Sequence, residues 1–170
     1  MTELTAQRVL ADARTIIRSA ALGWLMTTGD DGRVAARVMQ PFPVGDDLVL
    51  WYGTSPTSRK VSDIARLPVA TAGFQSSDAA GYASVSGPVS VVTDVGSRRH
   101  RWRPEWSAYF PGGPDEGYVL LRLDPDRIEV LDFAHDIAPP PFGAVAAAVT
   151  RTPTGTDWNF SPDTGGSPPD

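Results

Sequence analysis

The longest strand signal in this chain covers residues 82–95, and Gly87-Pro88 interrupts it near the middle. Valines recur on both sides of the interruption, as expected for a segment with high β-propensity. A strand of this length with a central glycine indicates a bend or a bulge. The segment therefore predicts a strand that turns the corner of a β-barrel.

Short strands and turns account for most of the remaining chain. The other predicted strands are residues 24–28, 33–42, 48–52, 69–74, 119–123 and 127–131. Turns rich in glycine and aspartate separate several of them. Residues 124–126, with the sequence Asp-Pro-Asp, predict a tight hairpin between the last two strands.

Helices are predicted in three places. Apolar residues at three- and four-residue spacing predict an amphipathic helix over residues 5–20. Ser55-Pro56 predicts the start of a helix that runs to about residue 67. Residues 97–109 predict helix in two pieces. The fold class is therefore mainly β (α+β), a six- to seven-stranded antiparallel barrel with two or three peripheral helices.

The composition changes at about residue 134. Residues 1–133 form the predicted barrel, and residues 134–170 form a C-terminal arm rich in Pro and Gly. From about residue 152 onward the chain is polar apart from Trp158 and Phe160. We expect this last part to contribute little to the barrel.

The composition also narrows the possible functions. The chain has no cysteine, so it has no disulfide, no thiolate nucleophile and no Cys-ligated metal. A formal net charge of −5 argues against nonspecific binding to nucleic acid. His100 and His135 do not lie in a metal-ligand spacing, and no metal site is predicted. No apolar run is long enough to cross a bilayer and no signal peptide is recognisable, so we expect a cytoplasmic protein without a membrane segment.

Lys60 is the only lysine among the 15 Lys and Arg residues. It follows Ser58 and Arg59 near a predicted helix start, with two further hydroxyl residues just before them. Hydroxyl groups, free backbone N–H groups and two adjacent cations are the components of a phosphate site. The alternative is a capped surface helix that carries one lysine.

The order of motifs along residues 5–133 resembles the pyridoxamine 5'-phosphate oxidase-like FMN-binding split-barrel family, in its bacterial general-stress-protein branch. The segments that carry the resemblance are Ala36-Arg37-Val38-Met39, Tyr52-Gly53-Thr54, Ser58-Arg59-Lys60, the start of the long strand at residues 82–87, Trp102, and residues 106–111. The resemblance implies an antiparallel split barrel that binds FMN.

The resemblance also implies a set of cofactor-binding residues. The residues expected to hold the flavin phosphate are Arg37, Thr54, Ser58, Arg59 and Lys60. Val38, Met39 and Gln40 are expected to face the pyrimidine edge of the isoalloxazine ring. Family flavins lie between two subunits, so a homodimer is expected, with Trp102 and Trp106 of one subunit covering the ring bound to the other. Packing in a core or an interface is the alternative for each tryptophan.

The function implied is that of an FMN-binding flavoprotein, an oxidoreductase acting on an unidentified small molecule. Two alternatives remain: a flavin-binding or stress-related protein without turnover, and the same fold with a deazaflavin cofactor. No residue is identified as catalytic. Oxidation of vitamin B6 is not expected, because Leu131 stands where the oxidases have a tryptophan.

Overall fold

The computed structural model shows one strongly curved antiparallel sheet with helices packed around it, and it describes residues 4–78, 80–137, 145–153, 155 and 157–162. Over those residues the nine strands are β1 (Gly23–Thr28), β2 (Val34–Met39), β3 (Leu50–Thr54), β4 (Val69–Gln75), β5 (Gly81–Val92), β6 (Val119–Leu123), β7 (Arg127–Asp132), β8 (Ala147–Arg151) and β9 (Trp158–Pro162). The α-helices are α1 (Ala6–Ser19), α2 (Arg59–Arg66) and α3 (Val95–His100), followed by a 3-10 helix (Pro104–Ala108) and a π-helical turn (Gly113–Gly117). The mainly β antiparallel fold class is confirmed.

Strand β5 turns the corner of the barrel. Its first half pairs with β4 on one side and β7 on the other, whereas residues 89–92 pair with β6. Strand β3 pairs with the opposite edge of β6. One strand therefore belongs to two layers, and its partners change at Gly87-Pro88, where the sequence predicted a bend.

The absence of a side chain at Gly87 makes this corner possible. The link between β6 and β7 crosses β5 there, with Asp124 N donating to Pro88 O at 2.9 Å and Asp126 N donating to Ser86 O at 2.9 Å. A Cβ atom on Gly87 would overlap the carbonyl oxygen of Asp124. The hairpin predicted at residues 124–126 is therefore wrong, because β6 and β7 pair with different halves of β5 and not with each other.

The remaining strands extend the sheet on both sides of β5. The order is β2-β1-β4-β5-β7-β8-β9, and every pairing is antiparallel. After β2 the chain returns to β3, and Phe42 N donates to Trp51 O at 2.8 Å. This bond joins the two layers on the side opposite β5, so that the strands enclose a barrel.

Helix α1 supplies one wall of the core. The side chain of Thr5 caps its N-terminus by accepting from Arg8 N at 3.3 Å. Its buried face consists of Val9, Ala13, Ile16 and Ile17, which pack in the same cluster as the inward side chains of the strands. The predicted amphipathic spacing corresponds to this buried face.

Several predicted boundaries differ from those in the structure. Helix α2 begins at Arg59, because residues 55–58 form a turn in which Ser58 N donates to Ser55 O at 3.1 Å. Ser58 is therefore the N-cap instead of Ser55. The predicted strand at 48–52 lies two residues later, as β3, and the return strand at 33–42 is shortened to β2.

The C-terminal arm supplies two strands of the sheet. Strand β8 pairs with β7 and is buried at Ala147, Ala148 and Val149, and β9 pairs with β8. The expectation that residues beyond 152 contribute little is wrong, because Trp158 and Phe160 pack against the core cluster. Strands β8 and β9 bring the number of strands above the predicted six or seven. The division at residue 133 stays a prediction, and residues 138–144 of the arm lie outside the described residues.

Gly87→Ala tests the corner of β5. The new methyl group would meet backbone atoms of the β6–β7 link, which cannot rotate away, so we expect a loss of about 2–3 kcal/mol in the free energy of unfolding. Gly73→Ala in β4 is the matched control, since its Cβ would lie 3.7 Å from Met26 Cε, an ordinary contact. Urea denaturation of both variants measures the difference. Equal stabilities would contradict this explanation of the corner.

Candidate functional site

Three of the residues predicted to bind phosphate meet where β3 ends and α2 begins. Lys60 Nζ donates to Thr54 Oγ1 at 3.0 Å, and the Ser58 hydroxyl lies 3.3 Å from the same oxygen. Ser58 is the N-cap of α2, yet within the described part of the chain its side chain makes no capping hydrogen bond. The first N–H groups of a helix lack intrahelical acceptors, so this corner combines donors from the backbone, two hydroxyls and an ammonium group.

Arg37 approaches the same region from β2. Its guanidinium donates to Thr27 Oγ1 at 2.7 Å and lies 3.6 Å from Asp63 Oδ2. Thr27 in turn donates to Asp63 Oδ2 at 2.6 Å. Asp63 is only 5% exposed, so a buried carboxylate holds the arginine in place from behind.

The electrostatics show that positive charge is in excess here. Burial, and next the charge of Arg37, lower the pKa of Lys60 from its ordinary value. Burial also lowers the pKa of Arg37; the Asp63 carboxylate opposes this effect and the charge of Arg59 adds to it. Within the described part of the chain, Arg59 forms no hydrogen bond or ion pair. Among the described residues, Asp63 pairs with Arg37 alone, so the charges of Lys60 and Arg59 are not neutralised, and an anion bound among the three cations would relieve their repulsion.

Val38, Met39 and Gln40 lie at the end of an edge strand. Among the described strands, β2 pairs only with β1, so one side of its backbone is left without a strand partner. Val38 is exposed, Met39 packs partly against the core, and Gln40 is exposed just past the strand. Backbone groups on this open side can bind a polar edge of a ligand.

Trp102 and Trp106 lie in a separate aromatic cluster. Their ring contacts are with each other and with Phe42, Phe110 and Tyr118, at centroid distances of 5.3–6.4 Å. The ring of Trp106 also fills the space beside Gly53 on the outer face of β3. Within one chain the structure does not group the two tryptophans with the cations, and contact with a flavin held by a second subunit stays a prediction.

Sequence reasoning did not identify Thr27 and Asp63. Both are buried polar residues, and they set the position of the Arg37 side chain. Asp63 lies three residues after Lys60 in α2, which brings it near the same side of the helix. The signal available in the sequence was an aspartate within a short amphipathic helix. Its partners, Thr27 and Arg37, lie on strands far away in the sequence, so the sequence did not show the contact.

Comparison with known proteins agrees with this architecture. A family model described as "Pyridoxamine 5'-phosphate oxidase like" matches residues 10–154. The chain belongs to this family. The match extends past residue 133 and so includes β8 of the arm.

Solved structures with the fold of the pyridoxamine 5'-phosphate oxidase-like family come from several bacteria. General Stress Protein 26 from Bacillus anthracis is 25% identical, with a TM-score of 0.62 over 72% of this chain and 93% of its own. The general stress FMN/FAD binding protein from Xanthomonas citri is also 25% identical, with a TM-score of 0.63 over 75% and 90%. A pyridoxamine 5'-phosphate oxidase-related, FMN binding protein from Nostoc punctiforme is 20% identical, with a TM-score of 0.65 over 94% and 97%. No curated protein matches the sequence significantly.

None of the helices in the described residues has both the length and the apolar character required to cross a membrane.

Asp63→Ala tests the buried support of Arg37. The change leaves Arg37 and Thr27 without their shared acceptor, and we expect it to lower the free energy of unfolding by about 2–3 kcal/mol. Asp63→Asn keeps an acceptor for Thr27 and should cost less. Chemical denaturation measures both.

Asp46→Ala is the matched control, because Asp46 forms ion pairs with Arg14 and Arg18 while its side chain is 90% exposed. We expect Asp46→Ala to lower the free energy of unfolding by less than about 1 kcal/mol. A loss as large as that of Asp63→Ala would show that burial of Asp63 is not the cause.

Proposed function

We propose that this protein is an FMN-binding flavoprotein and an oxidoreductase for an unidentified small molecule, with FMN bound between two copies of the chain. The observation that carries the proposal is a group of three cations with an excess of positive charge, beside the hydroxyls of Thr54 and Ser58. The members of this cation group are Arg37, Arg59 and Lys60. The names of the similar general stress and FMN-binding proteins support flavin as the ligand and favour FMN over a deazaflavin.

The cation group suits a terminal phosphate monoester. Such a phosphate carries a charge near −2 and several acceptor oxygens, which matches the guanidinium, ammonium and hydroxyl donors of Arg37, Lys60 and Ser58. Asp63 offsets one positive charge and fixes Arg37, so the donors are held in position before the ligand binds. Arg59 is exposed and supplies a further charge at the mouth of the site.

The open side of β2 suits the ring. Arg37 belongs to this strand, and Val38, Met39 and Gln40 follow it directly. A ligand whose phosphate lies against Arg37 could therefore direct its ring along the strand, where unpaired backbone groups meet the pyrimidine edge. FMN supplies two-electron chemistry when bound, and the residues of this chain bind and orient it.

Dimerisation would cover an apolar face of the sheet. Trp24 is 54% exposed and Val34 is 65% exposed, and Val38 faces Trp24 across the strand pair. Exposed apolar side chains on neighbouring strands favour burial against a second copy of the same surface. Such pairing would place the Val38 end of β2 at the subunit boundary, where Trp102 or Trp106 of the partner could reach the ring.

The proposal does not include oxidation of vitamin B6. Leu131, at the position where a tryptophan is expected in the oxidases, is a core residue of β7 and is 7% exposed. An aliphatic side chain buried in the sheet offers no polar group to a substrate.

Lys60→Ala tests the phosphate site. Loss of a charge-assisted contact worth on the order of 1.5–3 kcal/mol should weaken FMN binding roughly ten- to hundredfold. Riboflavin lacks the phosphate and should bind almost equally to the wild type and the variant. Fluorescence titration of the apoprotein with each ligand provides both affinities.

Arg33→Ala is the control for a general loss of positive charge. Arg33 is 88% exposed and pairs only with Asp31 among the described residues, so its removal should leave FMN affinity unchanged. Equal weakening of FMN and riboflavin by Lys60→Ala, or no effect on either, would place the phosphate elsewhere.

Trp24→Glu tests the proposed dimer surface. A charge on this face should oppose association, yielding a monomer with weakened FMN binding. Val145→Glu is the control, since Val145 is exposed just before β8, and β4, β5 and β7 separate β8 from β1 in the sheet order. Sedimentation velocity gives the oligomeric state. A Trp24→Glu variant that remains dimeric, or a wild-type monomer that binds FMN tightly, would refute the arrangement.

A further inference from the structure

Three side chains that could bind a metal ion meet between α1 and the turn after β7. One oxygen each from Asp12 and Asp132 and a ring nitrogen of His135 all lie within 4.8 Å of one another. His135 Nδ1 is 2.9 Å from Asp132 Oδ2 and 3.3 Å from Asp12 Oδ1. Asp12 lies 120 positions before Asp132 and 123 before His135 in the sequence. No short motif could therefore have revealed the group of three.

The two carboxylates are held in different ways. Asp132 is 2% exposed, and its Oδ1 accepts from the backbone N–H groups of Ala134 and His135 at 2.8 and 3.2 Å. These bonds leave Oδ2 directed toward the imidazole. Asp132 is therefore fixed by the turn that also carries His135, and the pair forms one preformed half of the group.

Asp12 supplies an independent observation that favours a cation here. Its side chain is only 10% exposed, and its buried Oδ2 has no hydrogen-bond partner among the residues that the structure describes. A buried carboxylate oxygen without a donor is costly, and the nearby Asp132 carboxylate increases the cost. A cation bound between the two carboxylates would satisfy both groups.

We propose that Asp12, Asp132 and His135 form a binding site for a divalent transition-metal ion of the Zn²⁺ type. Two carboxylate oxygens and one imidazole nitrogen are ligands that Zn²⁺ accepts, whereas Mg²⁺ and Ca²⁺ prefer oxygen alone. In a tetrahedral site with bonds of about 2.0–2.1 Å, neighbouring ligand atoms lie about 3.3 Å apart. The distance of 3.3 Å from His135 Nδ1 to Asp12 Oδ1 equals this spacing, and the hydrogen-bond distance of 2.9 Å to Asp132 Oδ2 would lengthen slightly on binding the metal.

The surroundings leave one coordination position for an external ligand. Asp12 and His135 line a surface cavity of about 370 Å³, together with Arg8, Thr15 and Asp136. Three protein ligands beside an open cavity are typical of a metal site that binds water or a small anion, in contrast to closed structural sites with four protein ligands. The site would also tie the N-terminal helix to the turn after β7, where Arg8 already donates to His135 O at 2.6 Å.

Zinc binding to the untagged protein of 170 residues tests the proposal. After treatment with a chelator and desalting, the protein should take up one Zn²⁺ per chain in a calorimetric titration with the metal alone. Asp12→Asn and His135→Gln should each weaken binding at least about tenfold, since each removes one of three protein ligands. His100→Gln is the matched control, because it removes the only other histidine and should leave the affinity unchanged.

Melting curves separate the metal site from a structural alternative, in which a protonated His135 bridges the two carboxylates. Zn²⁺ should raise the melting temperature of the wild type and of His100→Gln, and should raise that of Asp12→Asn and His135→Gln by less at the same Zn²⁺ concentration. These curves also report whether each variant folds. The proposal is overturned if Zn²⁺ binds no more tightly than about 1 mM, or if the variants bind it as well as the wild type does. None of the three residues belongs to the cation group, so such a failure leaves the proposed flavin site unaffected.

Discussion

The close contact of a backbone carbonyl with Gly87 determines how this sheet is built. Because nothing projects from β5 at that position, the link from β6 to β7 can cross it and pair on both sides of the crossing. Strand β5 then serves two layers, with β4 and β7 at one end and β6 at the other. The curvature that results brings β2 and the end of β3 to the same region, and the cation group lies where they meet.

In the cation group, positive charges outnumber negative charges. Asp63 is buried and neutralises part of the charge on Arg37, but it does not neutralise Lys60 or Arg59. Carboxylates equal in number to the cations would have left no net charge to attract an anion. The structure instead holds its donors in position through Thr27, Thr54 and Asp63 and leaves a net positive charge, which is the condition for recognising an anion.

How far the sequence predicts this protein depends on how local each signal is. The bend at Gly87-Pro88, the helix over residues 5–20 and the alternating strands were predictable, because each follows from neighbours in the chain.

The hairpin at residues 124–126 was wrong for the opposite reason: turn residues indicate a change of direction but not which strand lies alongside afterwards. The polar arm was misjudged because pairing with β8 brings Trp158 and Phe160 against the core, where they are partly buried, and composition does not show this pairing. In the site, Lys60 and Ser58 stand out in the sequence, whereas the link from Thr27 to Asp63 spans 36 positions and needs the fold. Their role in holding a flavin stays a prediction.

The packing of α1 has a consequence for how the chain acquires its structure during synthesis. This helix leaves the ribosome before any strand does, yet its buried face packs against β7, β8 and β9 as well as against β4 and β5. Its last partners are therefore translated more than 100 residues after it. Until then Ile16 and Ile17 have only part of their final surroundings, and a chaperone has time to bind the exposed helix. Helix α1 is thus among the last elements of this fold to reach its final surroundings.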